Sequence, residues 1–183
     1  QDIDTNGGKV LYLTALGDTL DDAYEKAYSM ADKIDFKGKT FRKDIGPMVK
    51  RVYTCKKDKF DLEASALLKE LKESYGIDLE SIKPYQRYDI EGLTELEIEK
   101  IKGTILSEPP VDDIYTGEEA FKLEKTLKNP LVVQFHKGQY DQREDGLLQS
   151  IAVALSKEDV KARSSRVFEI SGTITEEDMK TIK

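Results

Sequence analysis

Two stretches of this chain, residues 51–71 and 131–151, follow one pattern at an offset of 80 positions without a gap. Few residues are identical, but the apolar positions recur in the same order. The matched pairs include Val52 with Val132, Phe60 with Tyr140, Asp61 with Asp141 and Leu71 with Ile151. The match resumes where residues 87–92 correspond to residues 166–172 with one insertion. A repeat of this length indicates a duplicated small α/β unit, and two copies favour a pseudo-dimer over a solenoid.

Each copy reads as strand, helix, strand and short helix. The spacing predicts these elements at 50–55, 61–75, 82–90 and 94–102 in the first copy, and at 131–136, 141–155, 160–170 and 175–183 in the second. Residues 107–115 form an extended exit from the first copy, because prolines disfavour helix there. Since a β-α-β unit cannot cover its own sheet, we expect the copies to share one sheet with helices on one face. The predicted fold class is α+β, a ferredoxin-like pseudo-dimer.

A strand-helix piece precedes the repeat. Residues 9–15 have the character of a buried strand, Thr19 is a candidate N-cap, and an apolar stripe from Leu20 to Ile34 predicts a helix. The pattern breaks at Gly46-Pro47. The predicted organisation is 1–46 as a separate piece, 47–115 as the first copy, 116–129 as a polar linker with at most a helical turn, and 130–183 as the second copy. Because the chain starts without Met and stops inside a helical pattern, we expect a fragment.

Composition excludes several classes of partner. The net charge is −7 and the sequence pI is about 5.0, which argues against binding to nucleic acid or to an anionic membrane. No apolar run is long enough to span a bilayer, and no signal-peptide pattern opens the chain. A single cysteine excludes an internal disulfide framework. These features predict a cytoplasmic location.

No catalytic, cofactor-binding or metal-binding residue is predicted. His136 is the only histidine and Cys55 the only cysteine, so neither has the partners that a metal or nucleophilic site needs. We interpret His136 as a polar residue at a strand end and Cys55 as a packed thiol. Residues 6–9 (Asn-Gly-Gly-Lys) are interpreted as a turn, because they lack the spacing of a phosphate loop.

The most distinctive local string is residues 137–143. Gly138 suits a turn and Asp141 suits a helix N-cap, but Gln139, Gln142 and Arg143 exceed what capping requires. A partner carboxylate could take an arginine in a two-pronged hydrogen bond that lysine cannot reproduce. We therefore predict an interdomain contact at Gln139, Tyr140, Asp141, Gln142 and Arg143.

Two family resemblances add to this reading. Residues 6–11 (NGGKVL), 14–20 (TALGDTL) and 41–46 (FRKDIG) resemble the C-terminal tail of phosphoribosylamine–glycine ligase, an ATP-grasp enzyme. Residues 48–183 resemble the N-terminus of phosphoribosylformylglycinamidine synthase in its long single-chain form. That second resemblance is carried by residues 51–53 (RVY), 60–64 (FDLEA), 87–92 (RYDIEG), 107–112 (SEPPVD) and 138–143 (GQYDQR).

The resemblances imply a fragment of de novo purine biosynthesis. In the synthase family this region is a duplicated accessory unit without catalytic residues, and the enzyme amidates formylglycinamide ribonucleotide with ATP and glutamine. ATP and Mg would serve the parent enzyme, with no cofactor in this fragment, and the partners would be its catalytic and glutaminase domains. The fragment itself is expected to be inactive.

Two other interpretations remain open at this stage. The chain could be a stand-alone ferredoxin-like module that regulates or binds a small ligand between its copies. It could also be an enzyme acting within these 183 residues, which the missing nucleophile and metal clusters disfavour.

Overall fold

The computed structural model describes residues 11–18, 20–41, 49–136 and 138–182. The chain divides into two compact units, Gln1–Pro47 and Met48–Lys183.

The first unit contains helix α1, Leu20–Lys33, as the apolar stripe predicts. The strand expected at 9–15 is absent from its described part, since residues 11–17 have no regular structure. A strand requires a neighbour to take up its backbone hydrogen bonds, and the described residues of this unit include no other strand. Residues 9 and 10 and the predicted cap Thr19 lie outside the described ranges.

The second unit is built on one antiparallel sheet, so the described chain is an α+β protein. The strands stand in the order β3-β1-β2-β5-β4, and every neighbouring pair is antiparallel. The strands are β1 (Lys50–Lys56), β2 (Ser81–Glu91), β3 (Asp112–Tyr115), β4 (Leu131–Val133) and β5 (Lys161–Ser171). The strand predicted at 131–136 is therefore shorter than expected, because its pairing with β5 ends at Val133.

Among the described residues, five α-helices accompany this sheet. They are α2 (Leu62–Tyr75), α3 (Glu95–Ile101), α4 (Gly117–Thr126), α5 (Gln142–Leu155) and α6 (Glu176–Ile182). A π-helical turn, Lys102–Leu106, follows α3. The predicted signals set the ends of α2: the Asp61 carboxylate accepts from the Ala64 N–H at 2.9 Å, and Gly76 ends the helix with a positive φ of 69°, which glycine adopts without steric cost.

Two apolar clusters join α2, α3, α5 and α6 to one face of the sheet. The first gathers α3 and α5 around Val52 and Ile90, and the second gathers α2 and α6 around Ile82 and Ile170. Full burial of one such side chain stabilises the fold by about 2 kcal/mol. Between the two clusters, the same face of the sheet carries the polar residues Gln86 of β2 and Ser164 and Arg166 of β5.

Helix α4 covers the opposite face of the sheet. Its Ala120 is buried in a third cluster with Tyr53, Tyr85 and Val167. The structure thus corrects two expectations: residues 116–129 are not a linker with one helical turn, and helices lie on both faces. The sheet carries apolar side chains on both of its faces, and each face must be shielded from water.

The register of β2 and β5 is centred on Gln86, which faces Arg166. On the flanking strands, Thr54 of β1 faces Gln86 and Val133 of β4 faces Arg166. Thr54 and Val133 thus face the two members of this central pair, and that register differs by one residue from the expected match of Val52 with Val132. Asp61 and Asp141 keep the offset of 80 positions, whereas Thr54 and Val133 are 79 positions apart. The second stretch therefore has one more residue than the first between its strand and its capping aspartate.

Candidate functional site

The N-terminus of α5 is anchored to the sheet by a buried aspartate. Asp141 Oδ1 accepts from the backbone N–H groups of Arg143 at 2.9 Å and Glu144 at 3.3 Å. Its other oxygen accepts from the Ser164 hydroxyl of β5 at 2.6 Å. Gly138, with a φ of 92°, provides the turn that brings the chain to this point. The Asp141 carboxylate is therefore the cap of α5, and both of its oxygens accept hydrogen bonds within the unit.

The residues before the cap mostly bind within their own turn. The Gln139 amide oxygen accepts from the His136 backbone N–H at 3.0 Å. The Tyr140 hydroxyl donates to Asp145 Oδ2 at 3.0 Å, and this hydrogen bond raises the pKa of the Tyr140 phenol. The Tyr140 side chain still leaves 71 % of its surface exposed. A partner could therefore pack on the Tyr140 ring without disturbing the turn.

Gln142 and Arg143 stand exposed on the first turn of α5. Within the described ranges, no carboxylate lies within ion-pair distance of Arg143. Its electrostatic neighbour is Tyr88 of β2: burial raises the pKa of the Tyr88 phenol, and the Arg143 charge partly opposes that rise. Arg143 thus reaches over the sheet with its charge uncompensated by an acid.

A second arginine of this face, Arg166, has an acidic partner within the unit. Arg166 of β5 binds Glu63 of α2, with 2.7 Å between Nη2 and Oε1, and its guanidinium lies 5.1 Å from the centre of the Phe168 ring. Beside it, the Gln86 amide nitrogen donates to the Ser165 carbonyl at 3.1 Å. The Gln86 amide oxygen is buried without a hydrogen-bond partner, which is a costly arrangement for a polar atom.

These residues surround a polar pocket of about 320 Å³ on the helical face of the sheet. Its cations are Lys56, Arg143 and Arg166, and its acids are Asp61, Glu63, Glu108 and Asp112. Lys56 pairs with Asp112 at 2.7 Å and Arg166 pairs with Glu63, which leaves Arg143 as the cation of the pocket without an acidic partner. Because the four acids outnumber the three cations, a carboxylate presented from outside would have to be received by Arg143 itself.

Sequence reasoning identified Arg143 but missed Glu63, Gln86 and Arg166. A sequence signal existed for Glu63. Glu63 and Arg143 hold the same place after their capping aspartates, and an acid in one copy with a base in the other indicates a contact near the junction of the copies. Gln86 and Arg166 required the strand register, which single-sequence patterns do not give.

The two residues interpreted as structural behave as packed or surface groups. Cys55 is 5 % exposed, and burial raises the pKa of its thiol to about 11, so the reactive thiolate is disfavoured. His136 is exposed and lies three residues after β4, which ends at Val133, so it is not at a strand end as predicted. Across the described ranges, no group of three or more His, Cys, Asp or Glu side chains is placed to hold a metal ion. None of the described helices is long and apolar enough to cross a membrane.

Comparison with known proteins finds similar sequences for the start of the chain. Residues 1–48 match the family model described as phosphoribosylglycinamide synthetase, C domain. The phosphoribosylamine–glycine ligase of Thermotoga maritima is 51 % identical over 41 residues, which is 22 % of this chain and 10 % of the relative. The ligase of Vibrio cholerae is 52 % identical over 42 residues, 23 % of this chain and 10 % of the relative.

A longer relative gives a similar match. The bifunctional purine biosynthetic protein purD of Dictyostelium discoideum is 47 % identical over 45 residues, covering 25 % of this chain and 6 % of the relative. The chain thus spans about a tenth of the length of the curated ligases it matches. No solved structure matches the chain significantly. The first 48 residues are therefore similar to the C domain of phosphoribosylamine–glycine ligases.

Proposed function

We propose that the chain is a piece of de novo purine biosynthesis machinery. In this proposal the first unit is the tail of a phosphoribosylamine–glycine ligase, and residues 48–183 are an accessory, non-catalytic domain resembling the N-terminus of phosphoribosylformylglycinamidine synthase. The observation that carries the pathway assignment is the match of residues 1–48 to the ligase C domain. The synthase part is supported by its own sequence strings and by the geometry of the second unit.

That geometry is what a duplicated β-α-β-α unit would produce. Helices α2 and α5 are each 14 residues long and begin after Asp61 and Asp141. Strands β2 and β5 are each 11 residues long. Ser81 faces Ser171 and Glu91 faces Lys161, so a shift of 80 positions exchanges the two pairs. Such a register is expected of two copies related by a two-fold axis through the Gln86–Arg166 pair.

The proposed role of this unit is to position other domains. The parent synthase would bind ATP and Mg and hydrolyse glutamine in its catalytic and glutaminase domains, whereas this unit would dock against them. Glutamine as amide donor belongs to the synthase resemblance alone, since the names of the matched ligases specify glycine. The docking point is the first turn of α5, where Arg143 would receive a carboxylate of a partner domain in a two-pronged hydrogen bond.

The test is an Arg143→Ala change in the full-length synthase. Glutamine hydrolysis is expected to persist while glutamine-driven amide formation falls roughly tenfold, the loss of about 1.4 kcal/mol in domain contact. Free ammonia should partly restore amide formation. Arg143→Lys should not rescue the coupling, because an ammonium cannot make the bidentate contact.

Arg163→Ala is the matched control, because Arg163 is another exposed arginine, on β5. It should leave coupling unchanged. Unchanged coupling in Arg143→Ala, with only a lowered melting temperature, would contradict the docking role. The isolated chain is expected to hydrolyse neither ATP nor glutamine.

The pocket of about 320 Å³ favours one second candidate, a small-ligand-binding module. Its size suits a small polar molecule, and Arg143 would bind an acidic group. This reading predicts that Arg143→Ala abolishes saturable binding of a small carboxylate to the isolated chain. The docking proposal instead predicts no such binding, so calorimetric titration with glutamate separates the two.

A further inference from the structure

The solvent-facing side of α5 carries no charge beyond its first turn. Its exposed residues there recur at helical spacing, and they are Gly146, Gln149, Ser150, Val153 and Ala154. These five residues are named the outer face of α5. Residues 146–155 contain no charged side chain, although charged residues make up 36 % of the chain. Solvated helix faces are normally charged, whereas the centres of protein interfaces are depleted in charge.

Helix α2 shows what a solvated face looks like in this protein. Both α2 and α5 are 14 residues long and follow a capping aspartate, so their positions correspond one to one. The α5 positions Gln149, Ser150 and Val153 correspond to three exposed charged residues of α2, which are Lys69, Glu70 and Glu73. The loss of charge is therefore specific to α5.

A later segment of the repeat would not cover this face. The chain that follows the first copy, residues 103–136, is described by the structure, and it leaves Lys69, Glu70 and Glu73 of α2 exposed. By the same correspondence, a continuation of the second copy would leave the outer face of α5 exposed as well. A cover for this face has to come from outside the two repeated units.

Gly146 indicates that a partner approaches closely. Glycine inside a helix destabilises it relative to alanine, so a helical glycine usually has a packing reason. No such reason exists within the chain, because a Cβ added at Gly146 would meet no heavy atom within 4 Å. The corresponding residue of α2 is Ala66. The missing side chain leaves a notch, with Ser150 one turn further on, that a side chain from outside can enter.

The acid that borders this face, Asp145, already has hydrogen-bond donors. Its Oδ2 accepts from the Gln149 amide at 2.9 Å and from the Tyr140 hydroxyl at 3.0 Å. These bonds hold the exposed Tyr140 ring at the N-terminal end of the face. Val153, which is 85 % exposed, lies towards the C-terminal end. Two large apolar groups therefore flank a notch of small side chains.

We propose that the outer face of α5 docks against another domain of the same parent polypeptide. The docked surface is uncharged at its centre and inserts an apolar side chain at Gly146, between Tyr140 and Val153. The existence of a parent enzyme rests on the proposed function. The contact itself does not depend on Arg143, which lines the polar pocket instead.

The size of the face decides between the possible occupants. A helix of 14 residues is about 21 Å long, and its outer face offers on the order of 300 Å². Stable complexes of separate proteins bury about 800 Å² on each side, so a second copy or a free protein needs more than this face. Two copies of net charge −7 also repel each other. A tethered domain has a high effective concentration and can dock through the smaller area.

The experiment compares amide hydrogen exchange in the full-length synthase and in the 183-residue chain, measured by mass spectrometry. Peptides from residues 147–155 should exchange about tenfold more slowly in the synthase, because the docked domain opposes local opening of the helix. Peptides from residues 67–75 of α2 are the internal control and should exchange equally in both proteins.

The matched variant gives α5 the charges of α2 and combines Gln149→Lys, Ser150→Glu and Val153→Glu. Because these residue types already occupy an exposed helix face, the melting temperature of the 183-residue chain should change by less than about 3 °C. In the synthase, the protection of α5 should be lost.

Gly146→Ala tests the glycine by itself. It should raise the melting temperature of the 183-residue chain by about 4 °C, because alanine is the better helix former and its methyl group meets no neighbour. A lowered melting temperature would show that Gly146 serves the packing of the chain itself, and it would overturn the argument for a partner.

Three further outcomes separate the alternatives. Equal exchange of α5 in the synthase and in the 183-residue chain would overturn the proposal, and so would protection that survives the triple variant. Dimers of the chain that the triple variant abolishes, detected by light scattering, would assign the face to a second copy instead. Protection of α5 together with unchanged coupling in Arg143→Ala would retain this face and reject the docking role of Arg143.

Discussion

At the scale of single residues, the two capping aspartates occupy the same place in the predicted repeat but make different hydrogen bonds. Asp61 caps α2 through one backbone N–H, that of Ala64. Asp141 caps α5 and also accepts from the buried Ser164 hydroxyl. Sequence reasoning predicted both caps, because the aspartate precedes each apolar stripe. The bond to Ser164 was not predictable, because it joins residues whose proximity depends on the sheet.

This difference leads to a paired prediction. Asp61→Ala should lower the free energy of unfolding by about 1 kcal/mol, the usual cost of a lost N-cap. Asp141→Ala should cost about 2–4 kcal/mol, because it also leaves a buried hydroxyl without an acceptor. Urea denaturation of both variants measures the difference. Equal losses would mean that Ser164 finds another partner and that Asp141 is only a cap.

At the scale of elements, sequence patterns located most helices of the second unit but misjudged α4. The predicted helices at 61–75 and 141–155 are present because long apolar stripes and capping residues agree there. Residues 116–129 contain a shorter stripe of Ala120, Leu123 and Leu127 among many charges. These residues form a helix because their apolar stripe packs on the face of the sheet that the other helices leave uncovered. That packing is tertiary information, which a local sequence pattern does not contain.

Helix α3 is tied to the chain that follows α5 by a single ion pair. Lys157 Nζ lies 2.9 Å from Glu97 Oε1 and also donates to the Gly92 carbonyl at 2.9 Å. Glu97 completes a capping box with Thr94. Burial tends to raise the Glu97 pKa, but hydrogen bonds from Thr94 and Lys157 outweigh it, so the net pKa lies below its ordinary value.

A depressed carboxylate pKa fixes the sign of the pH dependence. The stability that ionised Glu97 contributes is present above its unfolded pKa, about 4.3, and is lost as the pH falls through the lower folded value. Glu97→Gln should therefore cost about 0.5 kcal/mol at pH 6 and progressively less towards pH 3. Urea denaturation at pH 6, 4.5 and 3 measures this.

The control for this pH series is Glu73→Gln, because Glu73 lies exposed on α2 with only a 4.0 Å ion pair. It should show no comparable trend. A Glu97→Gln deficit that stays constant from pH 6 to pH 3 would show that the carboxylate charge contributes nothing and that the capping geometry accounts for the whole effect.

At the scale of the whole molecule, the boundary between the predicted sequence copies does not coincide with a boundary between folding units. The sequence repeat suggests a boundary between the copies, near residues 116–129. In the structure, β2 of the first copy pairs with β5 of the second along the full 11-residue length of both strands. When the other copy is removed, one edge of the longest strand is therefore left unpaired, since β2 keeps only β1 and β5 keeps only β4 as a neighbour. The strand order was not predictable, because an internal repeat does not specify which edges meet.

We accordingly expect residues 48–183 to fold as one cooperative unit. All three apolar clusters lie between Val52 and Ile182, so producing this segment without residues 1–47 should leave the urea midpoint of its transition unchanged. A fragment of residues 48–130 should not fold, because it exposes the β2 edge and half of the α3–α5 cluster to water. Circular dichroism and urea titration of both fragments check these outcomes. A cooperative transition in the 48–130 fragment would show that each copy is an independent domain, and the sheet would then be an interface between two domains rather than one core.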